Sequence, residues 1–337
     1  MKTSGLTRTL DENLTRAIPA KSVFVSEETT RNDGTEEERL ECFNPRYAGA
    51  AEALSAETKT KSLGEGRAKE RKLLGDTELH WRNGCWNLKK PGCQVEIGPE
   101  CDEADCSAWL RSFGPIQKNV LRRQTTKRET IRFVIGEKAN RRQPKPCVAY
   151  AEDNTVGFPT TANGSHILAV KLCEASEKTP GLKPVRLEKI TLHEVGHTLK
   201  RFFEFGREEI LAEMMRGGSK NWHRAANLLR EVSPHYLGEQ SEEIEKKLQA
   251  NESMAGLAPG RETEKIRNKF AYDIGREIFA EIVRHFYLEP ALEGKPKTFA
   301  KTGFYALDDL CSTLQEETVQ TLLPKPKPIQ RQGLELD

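Results

Sequence analysis

The stretch Leu187-Glu188-Lys189-Ile190-Thr191-Leu192-His193-Glu194-Val195-Gly196-His197-Thr198-Leu199 decides how this chain is read. Leu187, Ile190, Val195 and Leu199 recur at helical spacing on a side away from the two histidines, which predicts a helix starting near Pro184. Four residues along a helix return to the same face, so His193 and His197 can reach one metal ion, with Glu194 beside them. An H-E-x-x-H pattern supplies two neutral nitrogen ligands, an open position and a carboxylate that can take a proton from a metal-bound water. Those are the requirements of a zinc hydrolase, with Zn2+ as the cofactor. The plainer alternative is a solvated helix face with two incidental histidines.

Upstream of this helix the pattern is that of strands. Ile131-Arg132-Phe133-Val134-Ile135 alternates and stops at Gly136. Cys147 to Ala151 is a second short strand, and Ile167-Leu168-Ala169-Val170-Lys171-Leu172, after a turn at Asn163-Gly164, reads as the clearest strand of the chain. Downstream, nearly everything reads as helix, interrupted near Gly217-Gly218, Ser233-Pro234 and Ala258-Pro259-Gly260. The expected fold class is therefore α+β: a small twisted sheet, an active-site helix packed beneath it and a helical C-terminal half. An open edge of that sheet beside the helix would let an extended peptide add as one more strand.

The expected domain organisation has four parts. Residues 1–72 are rich in Glu, Thr, Arg, Ser and Ala, with sparse apolar residues, and read as a mostly disordered leader. Residues 73–129 combine Trp81, Trp86 and Trp109 with Cys85, Cys93, Cys101 and Cys106, and read as a small Cys/Trp-rich module followed by a basic connector through Arg122, Arg123, Lys127 and Arg128. Residues 130–322 form the hydrolase domain. The proline-bearing tail 323–337 reads as extended or disordered. The four clustered cysteines lack a C-x-x-C pair, so metal binding, disulfides formed after export and ordinary thiols all stay open.

With 337 residues, 36% hydrophobic and 31% charged, the chain is long enough for a full core but polar for its length. A formal charge of +2 is close to balance and argues neither for nucleic acid nor for a membrane surface as the main partner, and no apolar run approaches a membrane span; the expectation is no membrane partner and no nucleic acid. The first twenty residues lack the apolar core of a secretory signal. The expectation is a cytoplasmic location in the producing cell, with export by a non-standard route as the alternative.

Two histidines need a third protein ligand. The position six residues after His197, where a metzincin carries its third histidine, is Phe203. Cys147 or Cys173 has no supporting signature. Two segments offer a glutamate: Glu209-Ile210-Leu211-Ala212-Glu213 and Glu277-Ile278-Phe279-Ala280-Glu281. In each, the carboxylates share a helix face and the alanine leaves room for another helix to approach. The first glutamate would bind metal, and the second would accept the free N–H of a ligating histidine. Glu277 is favoured, because Glu209 has little chain in which to turn back towards the metal, and Glu209 is kept as the alternative third ligand.

The run from Glu277 to Glu281, followed by Tyr287 and Glu289-Pro290, resembles the E-x-F-A-E segment of zincins of the gluzincin type, in particular the family of the anthrax lethal factor catalytic domain. With the H-E-x-x-H pattern, the similarity covers roughly Thr130 to Leu310 in order of elements, and these two motifs in residues. The resemblance implies that His193, His197 and Glu277 bind zinc, that Glu194 is the general base and that Glu281 supports a ligand. It also implies cleavage of a protein or peptide substrate in a toxin- or effector-like role. The tyrosine that this family carries seven residues before its third ligand is Phe270 here, and Tyr272 lies five before it. Glu209 to Glu213 resembles a stretch of antirestriction-type metallopeptidases. The rival class is a non-catalytic binding protein with a structural or degenerate zinc site, acting through its Cys/Trp module. Glu194 speaks against it, since a structural two-histidine site needs no carboxylate between its ligands.

Overall fold

The computed structural model describes residues 45–122, 130–141, 147–161, 164–199, 209–210, 212–213, 275–298 and 303–322. They build an α+β fold around a mixed sheet of seven strands. In chain order the elements are α1 (Pro45–Glu57), β1 (Arg71–Leu74), β2 (Thr77–Arg82), β3 (Cys85–Lys90), β4 (Cys93–Ile97), α2 (Glu103–Ile116), β5 (Ile131–Ile135), β6 (Tyr150–Glu152), β7 (Thr155–Phe158), α3 (Leu168–Lys178) and α4 (Leu187–Thr198). Residues 275–283 are helical and lead through a π-helical turn, Arg284–Leu288, into α5 (Glu289–Glu293). The last described element is α6 (Tyr305–Leu322).

The strand order is β1-β2-β3-β4-β5-β7-β6. Strands β1 to β4 form an antiparallel meander closed by two-residue turns. Asn83 and Gly84 both have positive φ, 53° and 73°, the backbone that a tight right-twisting hairpin requires and that Asn-Gly supplies at low cost. The meander then joins the rest of the sheet: β4 pairs in parallel with β5, from Cys93 opposite Ile131 to Ile97 opposite Ile135. The parallel connection crosses through α2. Its Trp109 stacks on Phe113 at 4.6 Å, and the pair packs on Phe133 of β5 and Phe158 of β7. All four rings are essentially removed from water, a burial worth about 1.5–3 kcal/mol per side chain.

Three sequence expectations change here. Residues 73–129 are no separate module, because their strands continue the same sheet as β5, β7 and β6. Within the expected leader, residues 45–72 are ordered. α1 packs against α3, Tyr47 and Ala51 are buried, and the Tyr47 hydroxyl donates to Lys183 O at 3.1 Å and accepts from Lys183 N at 3.0 Å. Its few apolar residues are used singly against a neighbouring helix, so no amphipathic period shows in the sequence. The run Ile167 to Leu172 is not a strand: helix α3 begins at Leu168. It lies among α1, α2 and α4 and is buried nearly all round, and a continuous apolar run suits a buried helix as well as a buried strand. Residues 1–44, most of the basic connector and the tail 323–337 lie outside the described residues, as do Phe203, Phe270, Tyr272 and the interruptions between 217 and 260.

Ile131–Ile135 is a strand with the bounds its alternation predicts, and the second strand falls at Tyr150–Glu152, somewhat later than Cys147 to Ala151. Helix α4, which carries the H-E-x-x-H pattern, lies against β6, β7 and α2. Among the described strands β6 is an edge. No helix among the described residues is long and apolar enough to cross a membrane.

Candidate metal centre

Helix α4 is not a solvated face. Leu187, Ile190, Val195 and Leu199 are buried as their period predicts, and so are His193 (2% exposed) and Glu194 (4%). Across from it runs the helical stretch 275–283. The two backbones approach closely at Gly196 and Ala280: a Cβ built on Gly196 would stand 2.8 Å from the carbonyl oxygen of Ala280. One side chain is absent and the other is a methyl group, which lets the carboxylates of the second helix reach the imidazoles of the first.

The ligand atoms of His193, His197 and Glu277 converge. His193 Nε2 is 3.0 Å from Glu277 Oε2 and 3.1 Å from His197 Nε2, and His197 Nε2 is 3.6 Å from Glu277 Oε1. Bonds of about 2.0–2.1 Å directed to the corners of a tetrahedron have edges of roughly 3.4 Å. The three separations scatter around that length, and the donor set, two imidazole nitrogens and a carboxylate oxygen, is one that zinc accepts. His193 Nδ1 turns away from this point and lies 2.6 Å from Glu281 Oε1. The carboxylate accepts from Nδ1–H and so fixes the tautomer that presents Nε2 to the converging ligands.

The electrostatics follow from burial and these contacts. Burial opposes charge on His193, yet hydrogen bonds to Glu277 and Glu281 outweigh it and raise this imidazole to about 10. Burial dominates at His197 and lowers it to about 4. Burial also works against the two carboxylates. His197 and His193 nevertheless hold Glu277 well below the ordinary carboxylate range, and Arg284 with His193 does the same for Glu281. Without metal, one proton thus sits on His193, facing Glu277 and neutral His197.

The alternative third ligand is elsewhere. Glu209 is exposed and belongs to no converging group among the described residues. Glu213 accepts from the backbone N–H groups of Tyr305 (2.9 Å) and Ala306 (2.8 Å) at the start of α6, a carboxylate set on a helix N-terminus. The two E-x-x-A-E segments therefore have different uses.

A second group of ligand types lies in the core: Asp102, Asp105 and His166, all buried. Each oxygen of its two carboxylates is already engaged, while His166 Nε2 has no hydrogen-bond partner among the described residues. Asp102 caps α2, accepting from Ala104 N and Asp105 N through one oxygen and from Lys61 N through the other. Asp105 Oδ2 faces His166 Nδ1 and accepts from Ile167 N, each at 3.0 Å, and Oδ1 pairs with Lys171 Nζ at 3.0 Å. The cation of this cluster is Lys171.

Among the described residues the seven cysteines form no disulfide and none joins a converging ligand group. The neighbouring Cys106 thiol, together with burial, pushes the Cys101 thiol up. Burial also raises Cys93 to about 12. Cys147 and Cys173 stand apart from the two histidines.

Sequence reasoning missed Arg284, whose guanidinium holds the second oxygen of Glu281. Its place three residues after Glu281, on the same helix face, was the available signal. No protein-family model matches this chain, and neither a curated protein nor a solved structure matches it significantly.

Proposed function

We infer that this chain is a zinc-dependent metallopeptidase of the gluzincin type, hydrolysing peptide bonds of a protein or peptide substrate. The observation that carries this reading is the convergence of His193, His197 and Glu277, with Glu194 buried on the same helix between the two histidines. These three residues would hold the ion, which when bound supplies a Lewis acid for the scissile carbonyl and an acidified water. Glu194 takes the proton of the attacking water and passes it to the leaving amine. Glu281 keeps His193 in the tautomer that presents Nε2. The strand β6, at the edge of the described sheet and against α4, offers backbone groups to which an extended peptide can pair.

The test is zinc content per chain for wild type and Glu277→Ala, together with cleavage of unfolded casein by wild type and Glu194→Gln. About one zinc is expected in wild type and none in Glu277→Ala. Glu194→Gln should keep its zinc and lose about 10²–10⁴-fold in rate, the usual contribution of a general base. A wild type that takes up no zinc, or a Glu194→Gln variant that cleaves at the normal rate, removes the reading.

A further inference from the structure

The helical stretch that carries Glu277 and Glu281 does not continue as a plain α-helix. At Arg284 it opens into a π-helical turn, Arg284–Leu288, and then resumes as α5. The irregularity has a side-chain consequence. In an α-helix, residues five apart end about 140° apart around the axis. A π turn closes on the fifth residue, so positions 284 and 289 stack on one face. Arg284 therefore lies between two carboxylates of its own helix. Its Nε donates to Glu281 Oε2 at 3.0 Å, and its Nη1 donates to Glu289 Oε1. All three side chains are buried, at 3%, 2% and 5% exposure.

The two oxygens of Glu281 are thus divided: Oε1 faces His193 Nδ1 and Oε2 is held by Arg284. Glu289 is held in turn, with Lys297 Nζ donating to its Oε2 and His285 Nδ1 3.5 Å from the same atom. The result is a row of alternating charge, from His193 through Glu281, Arg284 and Glu289 to Lys297. A guanidinium suits the middle of this row because its planar fork can grip two acceptors at once, which an ammonium on a flexible stem cannot do in the same geometry.

We propose that Arg284 is a positioning residue for the ligand His193: placed by the π turn, it anchors the Glu281 carboxylate, which in turn fixes the imidazole with Nε2 towards His197 and Glu277. The proposal rests on the metallopeptidase reading. It separates Arg284 from a merely structural ion pair such as Arg132 with Glu96, joined at 2.7 Å on the sheet and touching no ligand.

The experiment uses the full chain as wild type, Arg284→Met, Arg284→Lys, Glu289→Gln and, as control, Arg132→Met. Zinc affinity is measured by competition with a chromophoric chelator. The side-chain nitrogen signals of His193, assigned by 15N-labelled histidine and loss of the signal in His193→Gln, report its tautomer. Arg284→Met should bind zinc about 10–100-fold more weakly, the usual effect of removing an outer-shell partner. Its His193 Nδ1–H signal should shift or vanish. Arg284→Lys should restore affinity only in part, and Glu289→Gln should lose less in the same direction. Arg132→Met should keep wild-type affinity and the wild-type His193 signal.

A folded Arg284→Met with wild-type zinc affinity and an unmoved His193 signal overturns the proposal. If that variant does not fold, the decision passes to Glu289→Gln, whose wild-type behaviour on both readouts would overturn it equally. Affinity that falls as far in Arg132→Met as in Arg284→Met also overturns it, since the loss would then track stability. No zinc on wild type removes the metallopeptidase reading itself, whereas zinc on wild type with unaffected Arg284 variants removes this proposal alone.

Discussion

Two buried clusters in this protein use the same parts and differ in what remains for a ligand. Around His193, a carboxylate (Glu281) takes the Nδ1 side and a buried cation (Arg284) holds the carboxylate. Around His166, a carboxylate (Asp105) takes the Nδ1 side and a buried cation (Lys171) holds the carboxylate. In both, three ligand-type atoms lie within 4.8 Å of one another. In the first, Glu277 meets two imidazoles and, among the described residues, no backbone donor. In the second, Asp102 and Asp105 are consumed by backbone N–H groups and by Lys171. Proximity of ligand atoms is common to both. What sets the first apart is a second histidine.

The largest effect should come from breaking the second cluster. Lys171→Met leaves Asp105, which burial already pushes towards the neutral form, without its closest cation. Removing one member of a buried pair costs about 3–5 kcal/mol, to be read by chemical denaturation, while zinc per chain stays unchanged. Uptake of a second zinc by wild type, lost in Asp105→Asn, would erase the distinction between the clusters.

A smaller effect is expected at the first cluster from Gly196→Ala. The new methyl group meets the Ala280 carbonyl at 2.8 Å, so the two helices must separate. Overpacking of this kind costs about 1–3 kcal/mol. Here it should also weaken zinc binding, because the separation moves Glu277 and Glu281 from the imidazoles. A stability loss with unchanged zinc affinity would show that the close approach serves packing alone.

The smallest effect is on pH. Against the effect of burial, Glu277 and Glu281 raise the His193 imidazole above its ordinary value of 6.5, to about 10. The charged imidazole therefore stabilises the metal-free protein fully below pH 6.5, and that contribution is lost as pH rises through 10. Zinc requires the same nitrogen without its proton, so its affinity should run the other way, rising about tenfold per unit between pH 7 and 8. One proton should be released per zinc bound, measurable by calorimetry in buffers of different ionisation enthalpy. A flat profile would mean that Nε2 of His193 is not where the metal goes.

The sequence made some of this legible and hid the rest for physical reasons. His193, Glu194 and His197 are local on one helix, so their shared face could be read from spacing alone. Ile131–Ile135 alternates and ends at a glycine with φ 105°, so its bounds were visible too. The choice between Glu277 and Glu209 depended on how the chain returns, which spacing alone does not determine. The meander was missed although Asn83-Gly84 and Pro91-Gly92 mark two of its turns; the cysteines and tryptophans drew the reading towards a separate module. Ile167 to Leu172 was misread because burial on all sides erases the period that tells helix from strand. The π turn at Arg284 has no sequence period of its own, and the partnership of Glu281 with Glu289 was invisible without it.

The parallel pairing of β4 with β5 bears on how this protein tolerates being cut short. A chain beginning at residue 130, chosen to keep only the metal-centre region, would strip five partners from Ile131–Ile135 and bare a run of apolar residues with unsatisfied backbone groups. Such an edge recruits other chains. The Cys/Trp strands are thus the cover of a sticky seam, and the shortest well-behaved fragment should begin before Arg71.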